Sequence, residues 1–341
     1  MINTIYRLSE ARKLEVVFDD MELGSENAIV RPTHLSICNA DMRYYLGTRD
    51  AKIMAKKLPM VLIHEGVGEV VSDATDTFKP GEKVVMVPNI PKEENDYIAE
   101  NYLYSSKFCG STANGFLQKY ISISPKRLVA LPKNINMSVA AFTEIVSVAV
   151  HAIARFDKTA HMNRRRIGIW GDGNLGYIIA LLLKKFFPQT KVFIFGKSNE
   201  KLSFFTFADG AFHIDKIPKA FWVDHAFECV GGKGSFAAVE QIIDTVLPEA
   251  TVSILGVSEY HIPINTRMIL EKGLHLFGSS RSGVADFKKT VELYEKWPEI
   301  IGFLERIVNS VNPVSTVDDI TAAFEKDAQK SFGKTIMKLE V

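Results

Sequence analysis

A glycine-rich turn in the middle of the chain constrains the fold more than any other feature. Residues 167–182 read IGIWGDGNLGYIIALL, with glycines in the pattern G-x-G-x-x-G. The turn follows an apolar run and begins an apolar helical stretch, the context in which this pattern binds a dinucleotide. The glycines permit a tight turn, backbone approach to a pyrophosphate, and close packing. The predicted cofactor-binding residues of this turn are Gly171, Gly173, Asn174, Leu175 and Gly176. The alternative is a tight strand-to-helix turn that binds no ligand.

The end of the next apolar run, VFIFG, predicts which dinucleotide is bound. In NAD-binding proteins a carboxylate about 20 residues after the glycine turn binds the ribose 2′-hydroxyl. That count from Gly176 reaches Gly196, and no Asp or Glu stands at this strand end. Lys197 and Ser198 follow it, with Lys201 one turn later, and a cation with a hydroxyl suits a 2′-phosphate. NADP is therefore favoured over NAD. The alternative is that these lysines only begin a solvated helix.

The sequence on either side of the turn predicts two domains. Up to about residue 135, short β-branched runs such as GVGEVV and EKVVMVP alternate with Gly, Pro and Asp, which is typical of a compact β domain. From about residue 136, apolar residues recur at spacings of three and four, and strands then alternate with helical stretches of roughly ten to fifteen residues. This alternation predicts right-handed βαβ units and a parallel sheet. We expect a first domain at 1–146, a nucleotide-binding domain at 147–282, and a return to the first domain at 283–341.

Charge and composition argue against several classes of protein. The 41 basic and 40 acidic residues nearly cancel, which does not indicate a nucleic-acid or membrane partner. The first residues lack a secretory signal, and no stretch reaches the roughly 18 apolar residues of a spanning helix. The three cysteines, Cys38, Cys109 and Cys229, are too few for a disulfide framework. We expect a soluble, cytoplasmic protein.

Three separate segments carry side chains that suit a zinc ion. SICNAD contains Cys38, LIHEGVGEV contains His64 and Glu65, and AFTEIVSVAVHA contains Glu144. A thiolate, an imidazole and a carboxylate form a catalytic zinc set with one open position. The glycines after Glu65 would let the backbone crowd the metal, and Asp41 would orient His64. The alternatives are that Cys38 is a core residue and that Glu144 caps its helix or faces solvent.

Taken together, these motifs resemble the zinc-dependent medium-chain dehydrogenase/reductase family. The resemblance covers essentially the whole chain, and it rests on Cys38-x-x-Asp41, His64-Glu65-Gly66-x-Gly68, Gly81-Glu82-Lys83-Val84, Gly115-Phe116, Glu144 and the glycine turn. It implies an α/β fold with a GroES-like β domain and a Rossmann domain with a doubly wound parallel sheet. It also implies an active site in the cleft between them, and a homodimer paired edge to edge at residues 262–276. In the family's polyol and polyol-phosphate dehydrogenases the zinc ligands fall on Cys38, His64 and Glu144, and Glu65 falls on a second carboxylate that approaches the zinc.

Departures from the family pattern refine this expectation. Only Cys109 lies where many members carry four zinc-binding cysteines, so we expect one zinc per chain and no structural zinc. Ala40 replaces the usual Ser or Thr proton relay and Arg43 replaces the relay His, which leaves the proton donor open. An arginine there suits a phosphate. The candidates for a substrate phosphate are Arg43, Tyr44, Arg49, Lys107 and Arg281, although each cation could equally be a surface residue. Ser279 and Ser280 are expected near the nicotinamide.

Within the family, segments such as LPMVLIHEGVGEVV, GIWGDGNLGYI and HAFECVGG resemble the ribulose-5-phosphate reductases. The resemblance implies NADPH-dependent reduction of D-ribulose 5-phosphate to D-ribitol 5-phosphate, with zinc polarising the C2 carbonyl and Glu65 or Glu144 assisting protonation. The product would supply CDP-ribitol for wall teichoic acid or a capsule, and pathway logic suggests association with a ribitol-5-phosphate cytidylyltransferase. The alternatives are a zinc-dependent dehydrogenase of a polyol or another polyol phosphate, a zinc-free quinone reductase, and a non-catalytic nucleotide-binding sensor or scaffold.

The remaining candidate residues have weaker signals. Cys229 is expected in the core, and Cys109 lies in a long loop that is either exposed or beside the cleft. His34, His151 and His225 are predicted to serve packing or to lie at the surface. Lys334, in the segment FGKT, is expected either near the cofactor phosphates or in a structural role.

Overall fold

The computed structural model describes residues 1–22 and 24–340, which form two compact units. The first unit comprises Met1–Ser147 and Ser282–Val341, and the second comprises Val148–Arg281. The first unit is therefore built from two segments of the chain, and the second from one continuous segment.

The strands and helices follow one another along the chain in three groups. The first segment contains the strands β1 Ile2–Glu10, β2 Lys13–Asp20, β3 Ala28–Ser36, β4 Glu65–Asp73, β5 Lys83–Met86, β6 Asn89–Ile90, β7 Lys107–Phe108, β8 Ile121–Ile123 and β9 Leu128–Ala130, and the helices α1 Asn39–Tyr45, α2 Ala51–Lys57, α3 Met137–Ala140 and the start of α4 Thr143–Thr159. The second unit continues with β10 Arg166–Trp170, α5 Asn174–Phe186, β11 Lys191–Gly196, α6 Asn199–Leu202, β12 Gly210–His213, β13 His225–Glu228, α7 Ser235–Thr245, β14 Thr251–Ile254, α8 Thr266–Lys272 and β15 His275–Gly278. The last segment contains α9 Val284–Lys296, α10 Glu299–Glu305, β16 Val308–Val314, α11 Val317–Gln329 and β17 Lys334–Leu339.

The main sheet of the first unit brings distant parts of the chain to one end. Its strand order is β16-β17-β3-β4-β5-β9, with β8 also paired to β3. β3 is antiparallel to both of its neighbours, and Ser36 lies opposite Glu65 on one side and Ile336 on the other. The carboxyl end of β3 therefore lies beside the amino ends of β4 and β17. Residues from all three strands are consequently neighbours at this end of the sheet.

The second unit is a parallel sheet with helices. Its six strands have the order β12-β11-β10-β13-β14-β15, and each neighbouring pair is parallel. This order, 3-2-1-4-5-6 within the unit, is that of a doubly wound dinucleotide-binding sheet. Residues 176–183 of α5 are all buried. The predicted α/β class, with a β-rich unit and a doubly wound parallel sheet, is confirmed.

One helical stretch after β11 is much shorter than the roughly ten to fifteen residues expected from the alternation. The segment SNEKLSFFTF forms only the single turn α6, and the residues after it form turns. The rings of Phe205 and Phe207 pack edge-on against Tyr177 of α5, with centroid distances of 5.3 and 5.1 Å. Apolar spacing alone does not distinguish a helix from turns that place aromatic rings on a neighbouring helix. Among the described residues, no helix combines the length and apolar character needed to cross a bilayer.

His225 is a buried packing residue of the second unit. Its Nδ1 accepts a hydrogen bond from the backbone N–H of Thr251 (3.0 Å), and its Nε2 lies 3.3 Å from the carbonyl oxygen of His161. Burial, together with the nearby His161, lowers the pKa of His225 to about 4. The folded protein therefore holds the ring neutral, with the proton on Nε2, whereas an unfolded chain takes up a second proton below its ordinary pKa of about 6.5.

We expect His225 to make the protein acid-sensitive. The contribution of neutral His225 to the free energy of unfolding is fully present above about pH 6.5. It is lost as the pH falls to about 4, because only the unfolded chain binds the extra proton in that range. The free energy of unfolding should fall by roughly 3 kcal/mol over this range. His225→Gln keeps a hydrogen-bond acceptor and a donor, and it should make the free energy of unfolding less dependent on pH between about 4 and 6.5. Urea unfolding at several pH values measures it. An unchanged profile in the variant would contradict this assignment.

Candidate active site

Three predicted zinc ligands meet at one end of the main sheet of the first unit. Cys38 follows β3 by two residues, His64 immediately precedes β4, and Glu65 begins β4. Because Ser36 pairs with Glu65, the sheet register itself brings these residues together. The Cys38 Sγ, a ring nitrogen of His64 and a carboxylate oxygen of Glu65 all lie within 4.8 Å of one another. This donor set and spacing fit a zinc ion, whose bonds to such ligands are about 2.0–2.3 Å long.

Asp41 supports this cluster through contacts with Cys38, Ile63 and His64. Its Oδ1 accepts the backbone N–H of Ile63 (3.0 Å) and lies 3.5 Å from His64 Nδ1, while its Oδ2 accepts the N–H of Cys38 (3.1 Å). Ile63 has a φ of 74°, which a β-branched residue rarely adopts, so the turn before His64 is held against backbone strain. This contact places Asp41 to orient His64 and leaves the other ring nitrogen for a metal.

The titration of His64 reflects these neighbours. Burial alone would lower its pKa, but the carboxylate of Asp41 and the thiol of Cys38 raise the pKa well above the ordinary value. A histidine binds zinc through a deprotonated, neutral ring, so metal binding at this site has to displace a proton from His64.

The glycines around the cluster serve the packing of strands. A Cβ on Gly66 would lie 2.5 Å from the Leu35 side chain, and one on Gly68 would lie 2.4 Å from the carbonyl oxygen of Arg31. Both contacts are with β3, so these glycines let β3 and β4 approach each other. That they also let the backbone crowd a metal stays a prediction. Gly115 faces the site segment more directly, since its Cβ would lie 2.1 Å from the carbonyl oxygen of Leu62.

Lys334 is a buried partner of Glu65. Its Nζ lies 2.9 Å from Oε1 and 2.7 Å from Oε2 of Glu65, and it also donates to the carbonyl oxygen of Ile37 (3.0 Å). Burial alone would lower the pKa of Lys334, but Glu65 and Cys38 raise it above its ordinary value. Of the two roles considered for Lys334, the structure shows the structural one: this ion pair ties β17 to β4.

Glu144 is buried near Cys38, His64 and Glu65, but it does not belong to the group that these three donor atoms form. It is in the first turn of α4, and at a spacing of 4.8 Å only Cys38, His64 and Glu65 group together among the described residues. Burial raises the pKa of Glu144 to about 7, although His64 acts in the opposite direction. The structure thus brings Glu65 closer to Cys38 and His64 than Glu144, whereas the resemblance implied Glu144 as the third ligand.

Cys109 and Phe108 form part of the wall beside His64. The Phe108 ring lies 5.4 Å from the His64 ring, and Cys109 is buried in the core of the first unit. Burial raises the pKa of the Cys109 thiol to about 12, so it remains protonated and unreactive at neutral pH. Cys109 is therefore a packing residue, and Cys229 is likewise a thiol whose pKa burial raises.

Two cations gather around Tyr44, one helical turn beyond Asp41. The Arg49 guanidinium lies 4.6 Å from the centroid of the Tyr44 ring, and Lys57 Nζ lies 5.9 Å from it. Lys57 also donates to the carbonyl oxygen (2.7 Å) and Oγ (3.0 Å) of Ser111. A surface cavity of about 340 Å³ opens beside Lys57 and Ser111. Sequence reasoning had named Arg49 and Tyr44 but not Lys57, which carries no motif.

The other predicted phosphate residues are more scattered. Arg43 is half-buried in the last turn of α1. Lys107 is exposed, on the opposite face of β7 from the buried Phe108. Arg281 belongs to the second unit and has a left-handed φ of 57°. In the same segment Ser279 is buried and its N–H donates to Ile254 (3.0 Å), whereas Ser280 is exposed.

The glycine turn of the second unit has the geometry that its pattern predicts. Gly171 has a φ of 130°, and its Cβ would lie 2.8 Å from the backbone of Cys229. A Cβ on Gly176 would lie 2.1 Å from the carbonyl oxygen of Gly171, so only glycine permits this close packing. A Cβ on Gly173 would meet no atom within 4 Å, and the space over the first turn of α5 is therefore open. A tight turn with open space at a helix N-terminus fits a pyrophosphate.

Asp172, within the same turn, reaches the end of β11. Its Oδ2 accepts the N–H groups of Lys197 (2.8 Å) and Ser198 (2.9 Å), the residues predicted to bind a 2′-phosphate. Ser198 in turn accepts the N–H of Lys201 (3.3 Å) as the cap of α6. Sequence reasoning missed Asp172 because its place within the glycine pattern accepts any residue.

Comparisons with known proteins agree with this architecture. Residues 24–133 match the model of the alcohol dehydrogenase GroES-like domain. The chain is 55% identical to a ribulose-5-phosphate reductase of Bacillus spizizenii over 341 residues, covering 100% of both chains. It is 50% identical to ribulose-5-phosphate reductase 1 of Staphylococcus aureus, covering 99% of both. The crystal structure of S. aureus TarJ in complex with NADPH superposes with a TM-score of 0.90 at 45% identity, covering 100% of both chains.

Proposed function

The chain belongs to the medium-chain dehydrogenase/reductase family, within the group of ribulose-5-phosphate reductases, and we propose that it reduces D-ribulose 5-phosphate to D-ribitol 5-phosphate with NADPH. The observation that carries the proposal is the cluster of Cys38, His64 and Glu65, in a chain that matches ribulose-5-phosphate reductases over its whole length. A nucleotide-binding sensor or scaffold would not need this cluster, and a zinc-free quinone reductase would lack it.

The residues of the first unit supply a site for one zinc ion. Cys38 and His64 would hold it, together with Glu65 or Glu144. A zinc ion held there would supply a Lewis acid for the C2 carbonyl, and bound NADPH would supply the hydride. Asp41 fixes the orientation of His64, and the buried wall of Phe108 and Cys109 keeps water from that side of the ring.

Glu144 is the better candidate for supplying the proton. Burial raises its pKa to about 7 in the metal-free protein, so Glu144 is the neighbouring acid that can hold a proton when Glu65 is the carboxylate that binds zinc. Glu65 is paired with Lys334, and a carboxylate in such an ion pair is a poor source of a proton. With Ala40 and Arg43 in place of the usual relay residues, Glu144 would take over that task.

The product of the reaction tests the proposal directly. Purified protein loaded with zinc is incubated with NADPH and D-ribulose 5-phosphate, and the product is identified by chromatography against authentic D-ribitol 5-phosphate. We expect D-ribitol 5-phosphate to form. Its formation should stop when a chelator removes zinc and should resume when zinc is restored. Formation of a different pentitol phosphate, or activity that resists chelation, would contradict the assignment. A preference for an unphosphorylated polyol would favour the alternative of a general polyol dehydrogenase.

We expect Arg49 to bind the substrate phosphate, together with Lys57. Arg49→Met should raise the KM for D-ribulose 5-phosphate by roughly tenfold or more and leave kcat nearly unchanged, because the lost contact serves substrate and transition state alike. Steady-state kinetics measures both constants. Lys52→Met, which removes an exposed lysine from α2, is the matched control and should leave KM unchanged. Equal effects of the two substitutions would argue against a phosphate site at Tyr44.

We also propose that two chains pair through the edge of the six-stranded sheet. β15 pairs with β14 alone among the described strands, so its other edge is available for a strand of a second copy. Tyr260, Ile264 and Leu270 are large exposed apolar residues in the segment just before it. Sedimentation equilibrium should give twice the mass of one chain, and a single-chain mass at micromolar concentration would contradict the pairing.

In this proposal the reaction takes place in the cytoplasm, where NADPH is regenerated. The product would be activated as CDP-ribitol for wall teichoic acid or a capsule. A ribitol-5-phosphate cytidylyltransferase is then the partner that consumes it, and co-purification of the two enzymes would test whether they associate.

A further inference from the structure

The carboxylate of Asp172 occupies the place where dinucleotide-binding proteins distinguish their cofactors. Gly196 is the last residue of β11, at the position where an NAD-binding chain presents its carboxylate. A Cβ built on Gly196 would lie 2.5 Å from Asp172 Oδ2 and 2.6 Å from Asp172 Cβ. No side chain can therefore stand at position 196 while Asp172 keeps its place. The absence of a carboxylate at position 196 thus follows from a contact with the glycine turn.

The same carboxylate fixes the backbone that follows. Its Oδ2 accepts the N–H groups of Lys197 (2.8 Å) and Ser198 (2.9 Å), and His213 Nε2 lies 3.0 Å from the carbonyl oxygen of Lys197. The backbone at Lys197 is thus held on both sides, while its side chain is exposed. Neither Lys197 nor Lys201 forms an ion pair within the part of the chain that the structure describes, so both ammonium groups are available to an anion.

We propose that Asp172 sets the preference of this chain for NADPH over NADH. It does so in two ways: it positions Lys197 and Ser198 for the 2′-phosphate, and it excludes a side chain, above all a carboxylate, from position 196. Two backbone N–H groups offset the negative charge of Asp172, and the two lysines outweigh it at the phosphate. Asp172 is a positioning residue, because it acts through its neighbours. The inference rests on the proposed function in one respect, that NADPH is the cofactor.

The first test separates positioning from general support of the turn. Dissociation constants of NADPH and NADH are measured by titration calorimetry with zinc-loaded protein and no sugar substrate. Asp172→Ala should raise the Kd of NADPH by roughly tenfold or more, because the two N–H groups lose their acceptor. The Kd of NADH, which has no 2′-phosphate, should change by less than about threefold on the same scale. Asp172→Asn keeps an acceptor oxygen and should remain close to the unmodified protein.

Two results would overturn the proposal. An equal rise for both nucleotides in Asp172→Ala would mean that Asp172 merely supports the turn, and an unchanged Kd for NADPH would mean that it has no role. Because no sugar phosphate is present, the outcome is independent of the substrate. Tight, selective NADPH binding without reduction of D-ribulose 5-phosphate would count against the proposed function and leave this inference standing.

The second test concerns exclusion at position 196. Gly196→Asp alone should not improve NADH binding, since its side chain would collide with Asp172. In an Asp172→Gly background, which removes both the carboxylate and the Cβ, Gly196→Asp should lower the Kd of NADH about fivefold or more relative to Asp172→Gly alone, through bonds to the 2′-hydroxyl. The test depends on how far the effects of the two substitutions on the binding free energy of NADH depart from additivity. Improved NADH binding by Gly196→Asp alone would contradict the exclusion.

Discussion

Replacement of His64 by alanine is expected to abolish zinc binding and to lower kcat/KM by about a thousandfold or more, since a bound metal supplies several kcal/mol of transition-state stabilisation. His64 is one of the three donors of the cluster, within 4.8 Å of the donor atoms of Cys38 and Glu65. Alanine removes this donor. Zinc content by atomic absorption and steady-state kinetics measure the two effects.

Two further variants give the His64 experiment its controls. His34→Ala makes the same substitution on β3 and should retain zinc and activity, because His34 carries no donor of the cluster. Asp41→Asn keeps every direct donor but weakens the support of His64, and it should reduce metal affinity by about 10- to 100-fold. Full zinc content in His64→Ala would place the metal elsewhere.

The second large effect is expected from Lys334→Met, which should cost about 3–5 kcal/mol in the free energy of unfolding of the metal-free protein. The side chains of Lys334 and Glu65 are almost completely buried, and the substitution leaves the Glu65 carboxylate without its counter-charge. Methionine is similar in volume, so the loss reports charge rather than a cavity. Urea unfolding in the presence of a chelator is the measurement.

A double variant and a neighbouring lysine complete this test. Glu65→Gln combined with Lys334→Met removes both charges and should recover most of the loss, since the cost arises from an unpaired buried charge. Lys338→Met removes an exposed lysine of the same strand, 3.3 Å from Glu340, and should cost less than about 1 kcal/mol. Equal losses of unfolding free energy for Lys334→Met and Lys338→Met would show that the buried ion pair contributes no more to stability than an exposed lysine.

The sequence predicted the fold well where short-range patterns determine it. The glycine turn and the alternation of apolar runs predicted the parallel sheet, because each signal lies within a few residues of the element it specifies. The sequence also named the candidate ligands Cys38, His64 and Glu65, because each has a side chain with metal chemistry, and the strand register brings them together.

The contacts that sequence reasoning missed join distant residues without a motif. Lys334 meets Glu65 across a separation of 269 residues, and only the pairing of β17 with β3 makes them neighbours. The sequence also did not predict that the small size of Gly66 and Gly68 serves the contact with β3. Asp172 was unremarked because the glycine pattern says nothing of the residue between its glycines, yet that side chain determines what can stand at Gly196.

The most direct test of the central claim is the rate of NADPH oxidation with D-ribulose 5-phosphate, measured by absorbance beside D-ribulose with NADPH and D-ribulose 5-phosphate with NADH. We expect rapid turnover only when the phosphorylated ketose and NADPH are present together. Equal rates with D-ribulose would contradict the phosphate site at Tyr44, Arg49 and Lys57, and no turnover by zinc-loaded protein with any pair would contradict the assignment of the chain as a reductase.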